Sequence, residues 1–279
     1  MPVTTLALGD ETFDLRHRAL VMGILNRTPD SFYDKGATFA LDNLWARAEQ
    51  LVVDGADILD IGGVKAGPGP EVAEDEELER VVPVVSGLVA RFDVPVSVDT
   101  WRASVARASY AKGAVMGNDI SGLGDPDYAA AAAAHGTAVV ITHIRLAPRI
   151  PDPDPHYYDL VPDVARFLTE RAAGARAAGV PAERIVLDAG LDLGKTAEQS
   201  LTLLRASSTL AGLGYPLLLS ASNKTFFGKI LDLELTARRE ASIGAAALGI
   251  AWGCRIVRVH DVKGTCRVRD ALAAVSEAA

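Results

Sequence analysis

The chain has 279 residues and a formal net charge of −8 at pH 7, which argues against nucleic acid or an anionic membrane as the main partner. Its 49% of hydrophobic residues can fill a full core. The length fits one (β/α)8 barrel, for which about 250 residues is typical, so a single domain over residues 1–279 is expected. The longest apolar helical stretch, around Ala241–Gly253, is too short to span a bilayer.

The N-terminus carries no basic region before an apolar stretch, so no signal peptide is evident. Cys254 and Cys266 match no spacing of a metal site or a disulfide framework. We therefore expect both to be small reduced thiols in the core of a cytoplasmic protein.

The predicted elements begin with a β-hairpin over residues 3–16, where apolar side chains alternate around a Gly-Asp-Glu turn. We expect this hairpin to close the bottom of a barrel. Beyond it, one unit repeats about every 30 residues: an apolar run ends in a polar residue, and a loop and an amphipathic stretch follow. The predicted strands are Ala19–Leu25, Asp57–Ile61, Pro95–Val98, Ala114–Gly117, Ala138–Thr142, Arg184–Leu187, Pro216–Leu219 and Ile256–Val259.

This repeat predicts an α/β protein with parallel strands. A strand that is buried on both faces reads as a continuous apolar run, and its parallel neighbour requires a crossover helix. Apolar residues recur at helical spacing in Asp42–Val53 and Asp159–Ala178, among other stretches. The sequence therefore predicts a closed (β/α)8 TIM barrel with an N-terminal β-hairpin and an active site where the strands end.

Long loops follow some of the strands. The loops Asn26–Gly36 and Gly62–Pro70 are long for strand-to-helix connections, which favours a role as lids over that of plain connectors. A Pro-rich segment, Arg149–His156, follows the fifth strand. The acidic run Glu71–Glu79 is expected to begin the second barrel helix, where negative charge is favourable.

Polar side chains end several of the predicted strands, namely Asp60, Asp99, Asn118 and Asp188. Asp and Asn are unfavourable inside strands, so their convergence predicts a polar pocket at the barrel mouth. Such groups can donate and accept along the edge of a ring with NH, NH2 and C=O groups, and they reject a ring without them. A single member of the set could instead cap a helix, as Asp99 before Thr100 could.

Cationic side chains follow the last two strands. Lys224 comes after the seventh strand, and Arg258 and His260 lie on or just after the eighth, where barrels often bind phosphate. Asn26 could hold a phosphate oxygen or a metal ion, and Mg2+ on a diphosphate needs few protein ligands. Lys224 could also be a surface lysine, or a Schiff-base lysine if its amine is desolvated. His143, alone after the fifth strand, favours a structural role.

The chain resembles the dihydropteroate synthase family along nearly its whole length. The matching segments follow the expected order, and nearly all lie at strand ends: Met22–Phe32, Gly55–Gly63, Ser97–Thr100, Asn118–Gly122, Gly194–Thr196, Ser222–Lys224 and Arg258–Asp261. The resemblance implies a (β/α)8 fold and a homodimeric, cytoplasmic enzyme of folate biosynthesis. In that family the diphosphate leaves a dihydropterin diphosphate first, and the amine of p-aminobenzoate then attacks the pterin cation.

The resemblance also implies residue roles. The pterin ring of 6-hydroxymethyl-7,8-dihydropterin diphosphate would be bound by Asp60, Asp99, Asn118, Asp188 and Lys224. The diphosphate would be held by Asn26, Arg258 and His260, with Mg2+ as cofactor at Asn26. Asp99, Lys224 and Arg258 would be the catalytic residues. Electrostatic stabilisation of the leaving charge and of the cation would dominate the rate.

The sequence departs from the family pattern on the side of the second substrate. Ala66 and Gly67 stand where the family usually has Thr and Arg, and Asn223 stands where it usually has Arg. Both aromatic residues of the usual D-P-G-F-G-F-G-K segment are absent, since D-A-G-L-D-L-G-K follows the sixth strand. Arg27 replaces a small apolar residue. Arg27 and Lys65 could supply replacement charge, although lysine cannot reproduce an arginine fork.

These departures suggest a divergent second copy of the synthase, with altered p-aminobenzoate and anion contacts. Losing one charge-stabilising donor typically costs about 10²–10³ in rate. The chain would then bind the pterin diphosphate and condense it weakly or not at all. It could instead use another nucleophile, or act as a non-catalytic partner of a folate enzyme. A methyltetrahydrofolate methyltransferase has a similar pterin pocket, but Lys224, Arg258 and His260 favour a diphosphate.

Overall fold

Parallel strands form a closed barrel at the centre of the molecule. The computed structural model describes residues 3–27, 36–67 and 69–278, with the backbone alone for residues 36–40. After a hairpin of β1 (Thr5–Leu8) and β2 (Glu11–Asp14), the barrel strands are β3 (Leu20–Asn26), β4 (Ile58–Gly62), β5 (Val96–Asp99), β6 (Met116–Asp119), β7 (Ala138–Thr142), β8 (Ile185–Asp188), β9 (Leu217–Leu219) and β10 (Cys254–Val259). Each pairs in parallel with its neighbour in sequence, and β10 pairs with β3 to close the ring. The predicted (β/α)8 fold is confirmed.

Helices connect successive strands around the outside of the barrel. They are α1 (Gly36–Val53), α2 (Glu74–Arg91), α3 (Ala103–Tyr110), α4 (Tyr128–His135), α5 (Leu160–Ala177), α6 (Ala197–Arg205), α7 (Ser207–Ala211), α8 (Thr225–Leu231), α9 (Arg239–Ala251) and α10 (Val262–Glu277). The fifth helix matches its prediction to within one residue at each end. The first begins earlier than Asp42, because apolar spacing alone does not mark where a helix starts.

The hairpin closes the N-terminal end of the barrel, as predicted. Leu6, Leu8 and Leu15 are buried in one cluster with the barrel-interior side chains, among them Met22 and Ile58. This cluster fills the lower half of the barrel with apolar side chains.

The interior columns of the barrel change from apolar to polar toward the C-terminal ends of the strands. Alternate residues of a strand point the same way, so an interior column contains every second residue. The columns run from Ile58 to Asp60, from Met116 to Asn118, from Val140 to Thr142, from Val186 to Asp188 and from Ile256 to Arg258. A polar mouth above an apolar core therefore follows directly from the strand sequences.

The acidic run begins α2, as expected. Glu74, Asp75, Glu76 and Glu77 occupy the first turn of this helix. Glu77 is fully buried and accepts a hydrogen bond from Thr100 Oγ1 at 2.6 Å, and Arg102 forms an ion pair with it. This buried acid therefore joins the start of α2 to the chain just beyond Asp99.

Cys254 and Cys266 are free and buried, which agrees with the prediction of reduced core thiols. Within the described ranges, no helix has the length and apolar character needed to cross a membrane.

Candidate active site

Polar residues from distant parts of the chain line one pocket at the barrel mouth. Asp99, Asn118, Asp188 and Lys224, which the sequence predicted to converge, all face this pocket, together with Arg258. Thr142, Ser220 and the aliphatic Leu191 and Leu193 complete much of its wall. We call this the ring pocket. Its volume in this structure is about 40 Å³, and it combines carboxylates and a carboxamide with cations.

Arg258 bridges two carboxylates within the ring pocket. Its Nε lies 2.6 Å from Asp60 Oδ2, and its Nη2 lies 2.7 Å from Asp99 Oδ2. Asn118 Nδ2 also donates to Asp60 Oδ2, at 3.2 Å. Asp60 is fully buried at the base of this network, and its other oxygen has no hydrogen-bond partner among the described residues. The network holds Asp60, Asp99, Asn118 and Arg258 in one rigid arrangement.

Burial alters the ionisation of the pocket groups. It raises the pKa of Asp99 to about 7, although Arg258 opposes this shift. Burial also raises the pKa of Asp188, whose Oδ1 accepts a hydrogen bond from Gly190 N at 2.8 Å. For Lys224, burial lowers the pKa, while Asp192 and Asp188 favour the ammonium form. A site this shielded from water strengthens electrostatic contacts to a bound molecule.

His260 lies beside Arg258 at the end of β10, and its ring orientation is fixed. Ser222 Oγ lies 2.9 Å from His260 Nδ1 and accepts a hydrogen bond from His260 N at 3.2 Å. In the tautomer with the ring proton on Nε2, the hydroxyl donates to Nδ1; in the other tautomer, Nδ1 donates to the hydroxyl. Burial, with Arg258 nearby, lowers the pKa of His260 to about 4. The ring is neutral at pH 7.

Asn26 is an exposed side chain at the mouth end of β3. In the portion of the chain that the structure describes, no group of three or more His, Cys, Asp or Glu residues could hold a metal ion. A single carboxamide oxygen fits a Mg2+ ion that arrives with a diphosphate and keeps most of its water ligands. It does not fit a metal ion held by the protein alone.

A second cavity, the side pocket, adjoins the ring pocket, and Ala66 and Leu193 line both. It has a volume of about 320 Å³, and Gly67 lies on its wall. A Cβ atom on Gly67 would meet no atom of the described part of the chain within 4 Å. Arg149, which also lines this cavity, reaches across to donate a hydrogen bond to the carbonyl of Pro70.

Comparisons with known proteins agree with this geometry. The family model described as pterin binding enzyme matches residues 22–260. The chain is 44% identical over 255 residues to the dihydropteroate synthase of Bacillus subtilis, which covers 91% of this chain and 87% of that protein. The chain belongs to the dihydropteroate synthase family. The resemblance read from the sequence motifs is confirmed.

Further members of the dihydropteroate synthase family extend this comparison. A Mycobacterium leprae protein named inactive dihydropteroate synthase 2 is 43% identical over 266 residues, covering 92% of this chain and 91% of that protein. The crystal structure of Yersinia pestis dihydropteroate synthase in a sulfonamide drug complex superposes with a TM-score of 0.91 at 39% identity, covering 98% of this chain and 99% of that chain. The relatives thus include both synthases and proteins named inactive.

The structure describes only part of the loop Asn26–Gly36, which overlaps the first matching family segment. Residues 28–35, which include most of the first predicted lid, lie outside the described residues. Arg27, just before them, donates to the carbonyl of Arg80 and, at 3.3 Å, to that of Glu79. Pro83 lies inside α2 and has no N–H, so the carbonyl of Glu79 lacks its usual helical donor. Arg27 is therefore hydrogen-bonded to helix α2, and a role for it as replacement charge stays a prediction. Lys65 is exposed.

Lys195 is a buried residue that the sequence marked only as part of the Gly-Lys-Thr segment. Its Nζ lies 2.9 Å from His143 Nδ1 and donates to the carbonyls of Leu193 at 2.9 Å and His143 at 3.3 Å. Burial lowers the pKa of Lys195 to about 7 and that of His143 to about 3. The pair ties the loop after β8 to the end of β7, which agrees with the structural role expected for His143.

Asp192, in the same loop, adds a second anchor next to Lys224. Its Oδ2 accepts hydrogen bonds from Thr225 N at 2.6 Å and Thr225 Oγ1 at 2.9 Å, at the start of α8. Its backbone φ of 67° lies in the left-handed region, which Asp tolerates better than most residues. The sequence gave no sign of this contact, because it depends on how two loops approach each other.

Proposed function

We propose that this chain binds 6-hydroxymethyl-7,8-dihydropterin diphosphate and condenses it with p-aminobenzoate weakly or not at all. The observation that carries the proposal is an asymmetry. The ring pocket gathers Asp99, Asn118, Asp188 and Lys224, whereas Gly67 and Asn223 provide no guanidinium where the family usually has arginine.

On the pterin side, the carboxylates of Asp99 and Asp188 and the carboxamide of Asn118 offer acceptors to the NH and NH2 groups of the ring. Asp60 lies beneath them and holds Asn118 and Arg258. Lys224 supplies a further donor; burial lowers its pKa, while Asp192 and Asp188 favour the ammonium form. Buried groups of this kind discriminate against rings that leave them unpaired. This set supports selective binding of a pterin.

On the diphosphate side, we assign Arg258, His260 and Asn26 to the leaving group. Arg258 would neutralise charge at the end of β10, and Nε2 of His260 would contact the anion because Ser222 occupies Nδ1. Mg2+ bound at Asn26 would supply additional neutralisation of the diphosphate. Asp99, Lys224 and Arg258 would be the catalytic residues, since they surround the site of developing charge.

On the side of the second substrate, the contacts for a carboxylate are weakened. Leu191 and Leu193 replace an aromatic wall, and each missing arginine is expected to cost about 10²–10³ in rate. The relatives include proteins named inactive dihydropteroate synthase 2 as well as synthases. A pterin-binding protein with poor synthase activity accounts for both the retained pocket and the lost arginines.

Calorimetric titration with the pterin diphosphate tests the proposal. We expect binding to the unmodified chain and a loss of at least tenfold in affinity for Asp188→Asn, because a buried charge-assisted hydrogen bond typically contributes about 1.5–3 kcal/mol. The matched control is Asp232→Asn, an exposed residue at a φ of 52° that Asn adopts readily. No binding by the unmodified chain would overturn the proposal. Efficient dihydropteroate formation by the unmodified chain would show that it is an ordinary synthase.

A second candidate function is a pterin-diphosphate enzyme that uses another nucleophile. The side pocket favours it, because this cavity of about 320 Å³ adjoins the ring pocket and has Arg149 on its wall. Release of pyrophosphate from the bound pterin without p-aminobenzoate would support this alternative. A non-catalytic partner of a folate enzyme would bind the pterin diphosphate without releasing pyrophosphate, and would copurify with that enzyme. A cytoplasmic location and a homodimeric state remain predictions of the family resemblance.

A further inference from the structure

We infer that the Thr142 hydroxyl forms a hydrogen bond to a heteroatom of the ring bound in the ring pocket and so contributes to ring specificity. The inference rests on the proposed function, since it requires that this pocket take a fused nitrogen heterocycle. Thr142 was not among the site residues that the sequence motifs marked.

The position of Thr142 on β7 places it at the pocket. Ala138 and Val140 lie in the apolar interior of the barrel, and Thr142 continues their column one step toward the mouth. It pairs in register with Asp188 on β8, and both residues line the ring pocket. The side chain is therefore a neighbour of a residue that we assign to the ring.

The hydroxyl of Thr142 is buried and unsatisfied. The residue is 1% exposed, and its Oγ1 has no hydrogen-bond partner among the described residues. A Cβ on Gly190 would lie 3.1 Å from Thr142 Cγ2, so the methyl group faces Gly190. Buried polar atoms are nearly always paired in native proteins, and an exception on the wall of a binding pocket points to a ligand as the missing partner.

The chemistry of the ligand follows from what a hydroxyl can do. A threonine hydroxyl donates one hydrogen bond and accepts others. It can therefore pair with a ring nitrogen, an N–H group or a carbonyl oxygen of the heterocycle. A valine has nearly the same shape and would satisfy packing alone, so a purely structural role would not require the hydroxyl.

The test compares variants of the full chain by calorimetry and thermal unfolding. The probes are 6-hydroxymethylpterin, which has the ring without the diphosphate, and inorganic pyrophosphate. For Thr142→Val we expect ring affinity to fall about three- to tenfold, the usual worth of one neutral hydrogen bond. Pyrophosphate affinity should not change, and the melting temperature of the free protein should rise because an unpaired buried hydroxyl has been removed. Thr142→Ser, which keeps the hydroxyl, should retain the ring affinity.

The matched control is Ser109→Ala on α3. Ser109 is fully buried and its hydroxyl also lacks a partner among the described residues, but it does not line the ring pocket. The melting temperature of the Ser109→Ala variant should rise without any change in its ring affinity. Equal ring affinity for the unmodified chain and Thr142→Val would overturn this inference and leave the proposed function standing. Equal losses of ring affinity for Thr142→Val and Thr142→Ser would do the same. Absence of ring binding by the unmodified chain would instead overturn the proposed function.

Discussion

At the scale of single residues, the protonation state of His260 is expected to connect its burial with anion binding. Burial lowers its pKa to about 4, so the free protein holds a neutral ring at pH 7. A bound anion favours the imidazolium form and raises this pKa. Proton uptake therefore accompanies binding, and affinity for pyrophosphate should increase as pH falls from 7.5 toward 5.

The measurement is a calorimetric pH series with inorganic pyrophosphate on the unmodified chain and His260→Asn. Asn can keep the contact that His260 Nδ1 makes with Ser222. Because pyrophosphate itself titrates in this range, the difference between the two slopes isolates the histidine. Equal slopes would show that His260 takes no part in anion binding.

Gly67 is the position at which an arginine that the family usually has can be restored most directly. An added Cβ would meet no atom of the described residues within 4 Å, so Gly67→Arg should be accommodated without backbone strain. We expect kcat/KM for p-aminobenzoate condensation to rise about 10²-fold, the usual effect of one restored charge-stabilising donor. Gly67→Met is the uncharged control of similar length. No gain in a variant that still binds the pterin diphosphate would place the defect at Asn223 or at the aliphatic wall of Leu191 and Leu193.

Asn223 is a less favourable site for the same repair. Its φ of 58° lies in the left-handed region, where an ordinary L-residue costs about 1–2 kcal/mol. The double variant Gly67→Arg with Asn223→Arg should therefore exceed the single variant in turnover while being less stable to thermal unfolding.

At the scale of elements, Arg27 and Pro83 form a compensated pair between the end of β3 and helix α2. Arg27→Ala should destabilise the fold by about 0.5–1 kcal/mol, because the carbonyls of Glu79 and Arg80 then lose the guanidinium donor. In a Pro83→Ala background, residue 83 regains an N–H for the carbonyl of Glu79, and the same Arg27 change should cost less. A double-mutant cycle by urea denaturation measures this coupling. Additive effects would show that the two residues act independently.

The elements also show what the sequence could predict. Continuous apolar runs located the barrel strands to within about two residues, because burial on both faces imposes that pattern. The convergence of Asp99, Asn118 and Asp188 followed from fold geometry alone, since parallel strands of a barrel end at one rim. Such predictions need only the order and direction of the strands.

Contacts between loops could not be predicted in the same way. Lys195 with His143, Asp192 with Thr225 and Arg149 with Pro70 each join segments far apart in sequence. No local pattern of hydrophobicity or charge encodes how closely two loops approach. The hydrogen bonds from Arg27 to carbonyls of α2 could not be predicted for the same reason, because its charge was visible in the sequence and its partners were not.

At the scale of the whole molecule, the family resemblance predicts a homodimer, and the surface offers a place to test it. Leu231, the last residue of α8, is 52% exposed, and Leu235, four residues later, is 59% exposed. Exposed large apolar side chains that lie close together often mark a protein interface.

If this segment is the interface, Leu235→Glu should convert a dimer into a monomer, because a buried unpaired charge is strongly unfavourable. Val53→Glu, at a site 75% exposed on α1, is the matched control. Light scattering after size-exclusion chromatography measures the mass of each. A monomeric unmodified chain would contradict the homodimer, and a Leu235→Glu variant that stays dimeric would place the interface on another face of the barrel.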